Sequence, residues 1–196
     1  MYHPFQALAD VLTVKEKFGG FQGVKFVMSW AYSPSVHKPR AVPQSAITMA
    51  TKMGMEVVLA HPQGMELDPN VLDACAGYAQ RYGGSFAVSN DMRAAMAGAH
   101  VVYPKAWCAT PIFQPPVGES DPKKTQEIFD AHKDWICDSN LMRLAHRDAI
   151  YMHCLPCDRG FEVTDEVIDG PQSAAFDEAE NRLHAQKAVL SLVMGR

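Results

Sequence analysis

The sequence predicts an α/β domain, an open and mainly parallel sheet with helices on both faces, and three observations carry that expectation. Short apolar runs rich in Val, Phe, Met and Ala recur at 24–30, 56–60, 85–88, 100–103 and 149–154. The first of them, Val24 to Trp30, suits a strand buried on both faces. Between them lie longer segments whose apolar residues stand three and four apart, the period of a helix. The third observation is the kind of residue that closes each run: Trp30-Ala31-Tyr32, His61-Pro62, Asn90, Pro104-Lys105-Ala106-Trp107 and His153-Cys154-Leu155-Pro156. Polar and aromatic groups therefore gather where the carboxyl edge of a parallel sheet binds ligands. The architecture is Rossmann-like, and residues 1–196 read as one domain.

The first apolar positions, Leu8, Val11, Leu12 and Val14, predict a helix that Gly19-Gly20 ends. The first strand, Val24 to Trp30, leads into Ser33 to Pro43, whose three prolines stiffen a long loop and exclude a regular helix. Pro43 can occupy the first turn of the following helix, which has Ile47, Ala50 and Met53 on one face and Gly54 as its stop. Glu56 to Ala60 is the second strand. Asp68-Pro69 starts a helix through Val71, Leu72, Cys75 and Tyr78 to Gly83-Gly84, and Ser85 to Val88 is the third strand. Asn90 is expected to cap a short helix carrying Met92, Ala95 and Met96, and His100 to Tyr103 is the fourth strand.

Prolines 111, 115 and 116 make Cys108 to Asp121 an irregular loop before a helix from about Pro122 to His132. A helix around Asn140 to Ala145, a strand Ala149 to Cys154, a helix Asp165 to Ile168 and a last strand Gln172 to Phe176 complete the series. Asp177 with Glu180 resembles a capping box for the final helix, whose Leu183, Val189, Leu190 and Val193 are expected to face inward.

Composition narrows the function classes. With 18 Lys+Arg against 22 Asp+Glu and a formal net charge of -4, no basic footprint for nucleic acid or anionic lipid is present. No apolar run reaches the roughly 18 residues of a membrane span, and Met1 to Gln6 lack a signal-peptide layout, so the expectation is a cytoplasmic protein. Five cysteines in no framework spacing suit a reducing compartment. Cys154 with Cys157 forms Cys-x-x-Cys, open to a redox or half-metal reading, and Cys154 could equally be a small core residue. No second Cys pair supports a metal site, and none is expected. Glycine-rich phosphate loops are absent.

Three separated signals share one pattern: His3-Pro4-x-Gln6, His153-Cys154-Leu155-Pro156 with the run from Arg159 through Ser173, and Glu180-Asn181-Arg182-Leu183-His184-Ala185-Gln186-Lys187. In order and separation they resemble the ornithine-type carbamoyltransferases across nearly the whole chain. The resemblance implies the second, amine-binding domain of such an enzyme, with carbamoyl phosphate and an amino acid or related amine as substrates. It implies no cofactor. His3, Gln6 and Arg182 would meet charge on the carbamoyl oxygen, with Gln6 also able to accept from the carbamoyl amino group. Cys154 would sit by the attacking amine and the Leu155 carbonyl would accept from the carbamoyl amino group. The family's Ser-x-Arg-Thr phosphate segment does not occur here, so an amino-terminal domain is expected to supply it, normally within a homotrimer.

Departures from the family pattern concern the amine. Ornithine-specific members carry an acid and Ser-Met-Gly where this chain has Lys105-Ala106-Trp107-Cys108. Lys105 in place of that acid suits an acylated or differently charged amine, unless it is simply a solvated loop lysine. Trp30-x-Tyr32 with the loop 33–43 resembles the knotted acetylornithine, succinylornithine and unassigned-substrate branch, which implies a trefoil knot and adds Trp30 and Trp107 to the substrate-binding set. Glu162 stands where the acetylornithine enzymes have a lysine. The alternatives are an ornithine carbamoyltransferase proper and a non-catalytic binding or assembly module derived from such an enzyme.

Overall fold

The computed structural model describes residues 2–109 and 122–195. Its centre is a parallel sheet of five strands in the order β3-β2-β1-β4-β5: β1 is Lys25–Trp30, β2 Glu56–Ala60, β3 Ser85–Ser89, β4 Val101–Lys105 and β5 Ile150–Tyr151. The chain moves outward from β1 through β2 to β3 and then crosses back to β4. The strand order therefore reverses between β1 and β4, the switch point at which open α/β sheets bind ligands. Registers align the carboxyl ends, with Trp30 beside Lys105 and Ser29 beside Ala60, itself beside Ser89. Asn90 Nδ2 donates to the His61 carbonyl at 2.8 Å, so the expected clustering of strand ends holds.

Eight helices are described: α1 Pro4–Phe18, α2 Ala41–Lys52, α3 Pro69–Tyr82, α4 Met92–Met96, α5 Pro122–Ala131, α6 Ser139–Met142, α7 Asp165–Ile168 and α8 Ala175–Met194. His3 is the N-cap of α1 and Pro4 fills its first turn, where no N–H is needed. Gly54 ends α2 at φ 75°, a conformation L side chains resist, and a Cβ there would stand 2.6 Å from the Tyr82 carbonyl. The core is built on β1 and β4, where Phe26, Val27, Met28, Trp30, Val101, Val102 and Tyr103 are all buried.

Four local expectations are corrected. Asp91, not Asn90, caps α4, accepting from Ala94 N–H at 3.0 Å. β5 stops at Tyr151, because after Met152 donates to the Val102 carbonyl the chain turns away at His153. Residues 172–176 are not a strand: Ser173 makes one isolated bridge to Tyr151, and α8 already begins at Ala175, leaving Asp177 inside its first turn.

The fourth correction is the orientation of α8. Its buried residues are Ala175, Glu178, Asn181 and Ala185, while Leu183, Leu190 and Val193 are exposed and Val189 is half-buried. The inner face is polar because α1 offers it polar partners: Asn181 Nδ2 donates to Thr13 Oγ1 at 3.0 Å and to Glu16 Oε2 at 2.7 Å. Satisfied polar groups can be buried, so apolar count alone misplaces the face.

The loop after β1 is fastened at several points. Tyr32 N–H donates to the Trp135 carbonyl at 2.8 Å and Cys108 N–H to the Lys38 carbonyl at 3.0 Å. Asp158 accepts from Ser33 at 2.6 Å and pairs with Lys38 at 2.7 Å. The segment expected to cross this loop as a knot, between Trp107 and Ile150, includes residues 110–121, which lie outside the described residues.

Candidate active site

The ends of α1, β4, β5 and α8 meet at the carboxyl edge of the sheet. Gln6 faces inward from the first turn of α1 and is buried. Its Oε1 accepts from Arg182 Nη1 at 2.8 Å, joining residues 176 positions apart. His3, at the N-cap, anchors its N–H on Ser45 Oγ of α2 at 2.7 Å. Burial, and then the nearby Arg182 charge, hold the His3 imidazole below its usual range, which favours the neutral ring.

The second strand-end motif reaches the same place through Glu178. His153 N–H donates to Glu178 Oε2 at 2.8 Å, and Tyr103 Oη and Gln6 Nε2 donate to Oε1 at 3.0 and 2.6 Å. Leu155 comes next with φ 47°, a backbone region that branched residues seldom occupy. Its N–H donates to His153 Nδ1 at 3.0 Å, so the neutral imidazole carries its proton on Nε2. The Cys154 thiol is pushed up to about 12 by burial, with Lys105 working against the shift. It is a neutral SH here, not a nucleophilic thiolate.

Lys105 is neither solvated nor free. Its Nζ lies 3.2 Å from Glu162 Oε1, and both side chains are nearly or fully buried. The same carboxylate accepts Ala106 N–H at 2.7 Å and Asp158 N–H at 2.8 Å. His153 Nε2 approaches Oε1 at 3.5 Å, short of a hydrogen bond in geometry. Burial raises the Glu162 carboxyl, but the His153 ring, the Lys105 charge and the Ala106 N–H outweigh it and hold it well below the usual range.

Trp30 and Trp107 occupy the floor beneath these groups rather than the edge. Both are fully buried, and each indole N–H is used internally, Trp30 on the Trp107 carbonyl at 3.0 Å and Trp107 on the Met65 carbonyl at 2.8 Å. Phe129 and Trp135 pack edge-on against Trp30.

The structure thus brings His3, Gln6, Arg182 and the Cys154-Leu155 corner together, sets Lys105 in an ion pair beside them, and assigns the two tryptophans to packing. Three participants escape a reading by motif. Asp10 lies one turn after Gln6 and accepts its Nε2 at 2.8 Å. Tyr103 is a core strand residue with a polar tip. Glu178, four residues before Arg182, reads from spacing as that residue's surface ion pair, yet it is wholly buried and bonds Gln6, Tyr103 and His153 instead. The one available signal was helical phase: on α8, Glu178, Asn181 and Ala185 share a face.

Among the described residues no group of three or more His, Cys, Asp or Glu side chains could hold a metal ion. A cleft of about 370 Å³ lined by Ser139, Arg143, His146 and Glu166 lies by the segments that lead into β4 and β5 and shares no residue with the cluster.

A parallel α/β sheet with acceptors, a guanidinium and an imidazole converging at its switch edge has the arrangement of a small-molecule-binding domain. Comparison with known proteins makes this specific. Residues 37–193 match the family described as Aspartate/ornithine carbamoyltransferase, Asp/Orn binding domain, and the chain belongs to that family. It is 42% identical to the N-acetylornithine carbamoyltransferase of Xanthomonas campestris pv. campestris over 99% of its own length and 56% of that protein's. The ornithine carbamoyltransferase of Symbiobacterium thermophilum is also 42% identical, over 98% of this chain and 57% of its own. A solved acetylornithine transcarbamylase complexed with acetylcitrulline superposes with a TM-score of 0.87 at 42% identity, covering 98% of this chain and 56% of that one. The chain spans about half the length of the curated relatives it matches.

Proposed function

We propose that the chain is the amine-binding domain of a carbamoyltransferase, which moves the carbamoyl group of carbamoyl phosphate to an ornithine-like amine once a carbamoyl-phosphate-binding domain completes the site. In this reaction the amine nitrogen attacks the carbonyl carbon, the new C–N bond forms, the C–O bond to phosphate breaks and the amine loses a proton. Charge grows on the carbonyl oxygen, and fixed donors are needed there. Arg182 and His3 are assigned to that oxygen. Gln6 and the Leu155 carbonyl take the carbamoyl amino group, and Cys154 stands by the amine as a neutral positioning group.

The observation that carries this reading is the Gln6–Arg182 bond, which joins the two ends of the chain's motif set in one place. The outward face of α8, with Phe176, Leu183, Leu190, Leu192 and Val193 exposed, suits contact with a carbamoyl-phosphate-binding domain, and a homotrimer is inferred by family likeness. Trp30 and Trp107 contribute to substrate binding by fixing the floor.

For the amine, the Lys105–Glu162 pair neutralises itself, so neither a free ammonium nor a free carboxylate is read by Lys105 alone. That favours ornithine or an α-N-acyl derivative, and equal identity to both kinds of relative leaves both in the test. No helix among the described residues is long and apolar enough to cross a membrane. The experiment joins this chain to the amino-terminal half of the Xanthomonas campestris relative and assays carbamoyl phosphate with ornithine and with N-acetylornithine. A carbamoylated product from either is expected. Absence of both, in a folded joined protein, would sink the proposal.

A further inference from the structure

The hydrogen bonds of Gln6 leave its amide a single orientation. Nε2 donates to Asp10 Oδ1 at 2.8 Å and to Glu178 Oε1 at 2.6 Å, so both amide hydrogens are engaged. Oε1 accepts from Arg182. Rotating the amide by half a turn would set its oxygen against two carboxyls and its NH2 against a guanidinium, and chemistry excludes it. Gln6 can therefore offer an approaching ligand an acceptor and not a donor.

Glu178 extends the same control to the second motif. Its Oε2 takes the His153 N–H at 2.8 Å, at the start of the His153-Cys154-Leu155 corner, and Tyr103 Oη braces Oε1 at 3.0 Å. Asp10 Oδ2 is buried without a donor. Two wholly buried carboxyls side by side cannot both ionise. Burial raises Asp10 to about 7, against the pull of Gln6, Glu178, Arg182 and Tyr103, and burial with the Asp10 charge raises Glu178 well above its ordinary value. A neutral carboxyl in the pair supplies the hydrogen that a contact between the two requires. Gln6 faces the pair from α1, Tyr103 from β4, the His153 N–H and Cys154 from the segment after β5, and Arg182 from α8.

We propose that Asp10 and Glu178 are positioning residues for carbamoyl transfer, a hydrogen-bonded carboxyl pair that fixes Gln6 as an acceptor and holds the His153-Leu155 corner beside it. This rests on the carbamoyl-transfer reading. It removes Gln6 from the donors that meet the carbonyl oxygen and leaves that work to His3 and Arg182.

Three variants test it. Asp10→Asn keeps an oxygen for Gln6 and turns an NH2 toward Glu178, so a covalent hydrogen replaces the carboxyl proton. Asp10→Ala removes the acceptor. Glu178→Gln sets an NH2 against a donor in either orientation, the His153 N–H or the Gln6 NH2, and strands it. In the joined protein, Asp10→Ala and Glu178→Gln are expected to lower kcat/KM for carbamoyl phosphate by about thirtyfold or more, as misplacement of reacting groups does, with Asp10→Asn recovering most of the loss. Equal kcat/KM in wild type and Asp10→Ala would overturn the proposal. NMR on the unmodified chain gives the second readout. The Gln6 side-chain amide should exchange slowly with solvent in wild type and Asp10→Asn and rapidly in Asp10→Ala. The ¹³C carboxyl signals should show at least one proton on the pair at about pH 7. Rapid exchange in wild type, or two ionised carboxyls, contradicts the arrangement. If the joined protein shows no turnover, the carbamoyl reading falls, and the NMR result alone decides whether the pair holds Gln6.

Discussion

At the residue scale the site works by using up donors and acceptors until few remain for a ligand. Arg182 is half-buried with one nitrogen on Gln6, and its charge is the fixed cation nearest that motif. In the joined protein Arg182→Ala should lower kcat by about a hundredfold, the size expected for loss of one oxyanion donor, while thermal stability changes little. Unchanged kcat would place Arg182 outside the site. Glu162 behaves differently because it holds structure as well as charge. Glu162→Ala strands the buried Lys105 and two backbone N–H groups, and urea unfolding should show a loss of about 3–5 kcal/mol. A loss under about 1 kcal/mol would mean that Lys105 escapes to solvent.

The carboxyl pair gives a pH dependence of definite sign. Asp10 has a folded value of about 7, above the ordinary carboxylate value, so between those limits the folded state binds more protons than the unfolded state. Its contribution is present below the unfolded value and is lost as pH rises through about 7. Glu162, held low, contributes above the ordinary carboxylate value and fails only in stronger acid. His3, His100 and His153 are held low by burial and work in the opposite direction as pH falls, so the test is the difference between proteins: the melting temperature of wild type should gain on that of Asp10→Asn as pH falls from about 8 to about 5. A difference that does not change over that interval contradicts the buried pair.

At the scale of elements, strand ends and helix starts were readable because apolar runs and breakers mark them. Val24 to Trp30 and Asp68-Pro69 needed no tertiary information, since burial on both faces and a capping Asp are local facts. β5 and the start of α8 were not local. Tyr151 and Ser173 meet through a single bridge, and α8 turns its polar face inward only because α1 brings Thr13, Glu16 and Gln6 to meet it. Sequence periodicity reports amphipathicity, and it cannot say which side is covered when polar groups satisfy one another. Leu190→Glu should accordingly leave the stability of the isolated chain within about 0.5 kcal/mol, as for an exposed site. The same change should weaken association with an amino-terminal half added as a separate polypeptide, measured by sedimentation. A large loss of stability in the chain alone would show that this face packs internally.

For the whole molecule, the candidate site divides along the same line. His3, Gln6, Cys154, Leu155 and Arg182 carry the motifs that mark them as candidates, and the fold sets them at one edge. Asp10, Tyr103 and Glu178 carried none, because their significance is a matter of which atoms they touch across three elements. Lys105 was identified by its departure from a pattern, but its buried partner Glu162 changes what that departure means. The central claim is that this domain holds half of a carbamoyl-transfer site. The most direct measurement compares initial rates of carbamoylation with saturating carbamoyl phosphate and amine for the chain alone, the amino-terminal half alone, and the two combined. The account predicts turnover in the combination at least about a hundredfold above either half, as effective positioning of two reactants requires. Equal rates in all three samples, with both halves folded and bound to each other, would contradict it.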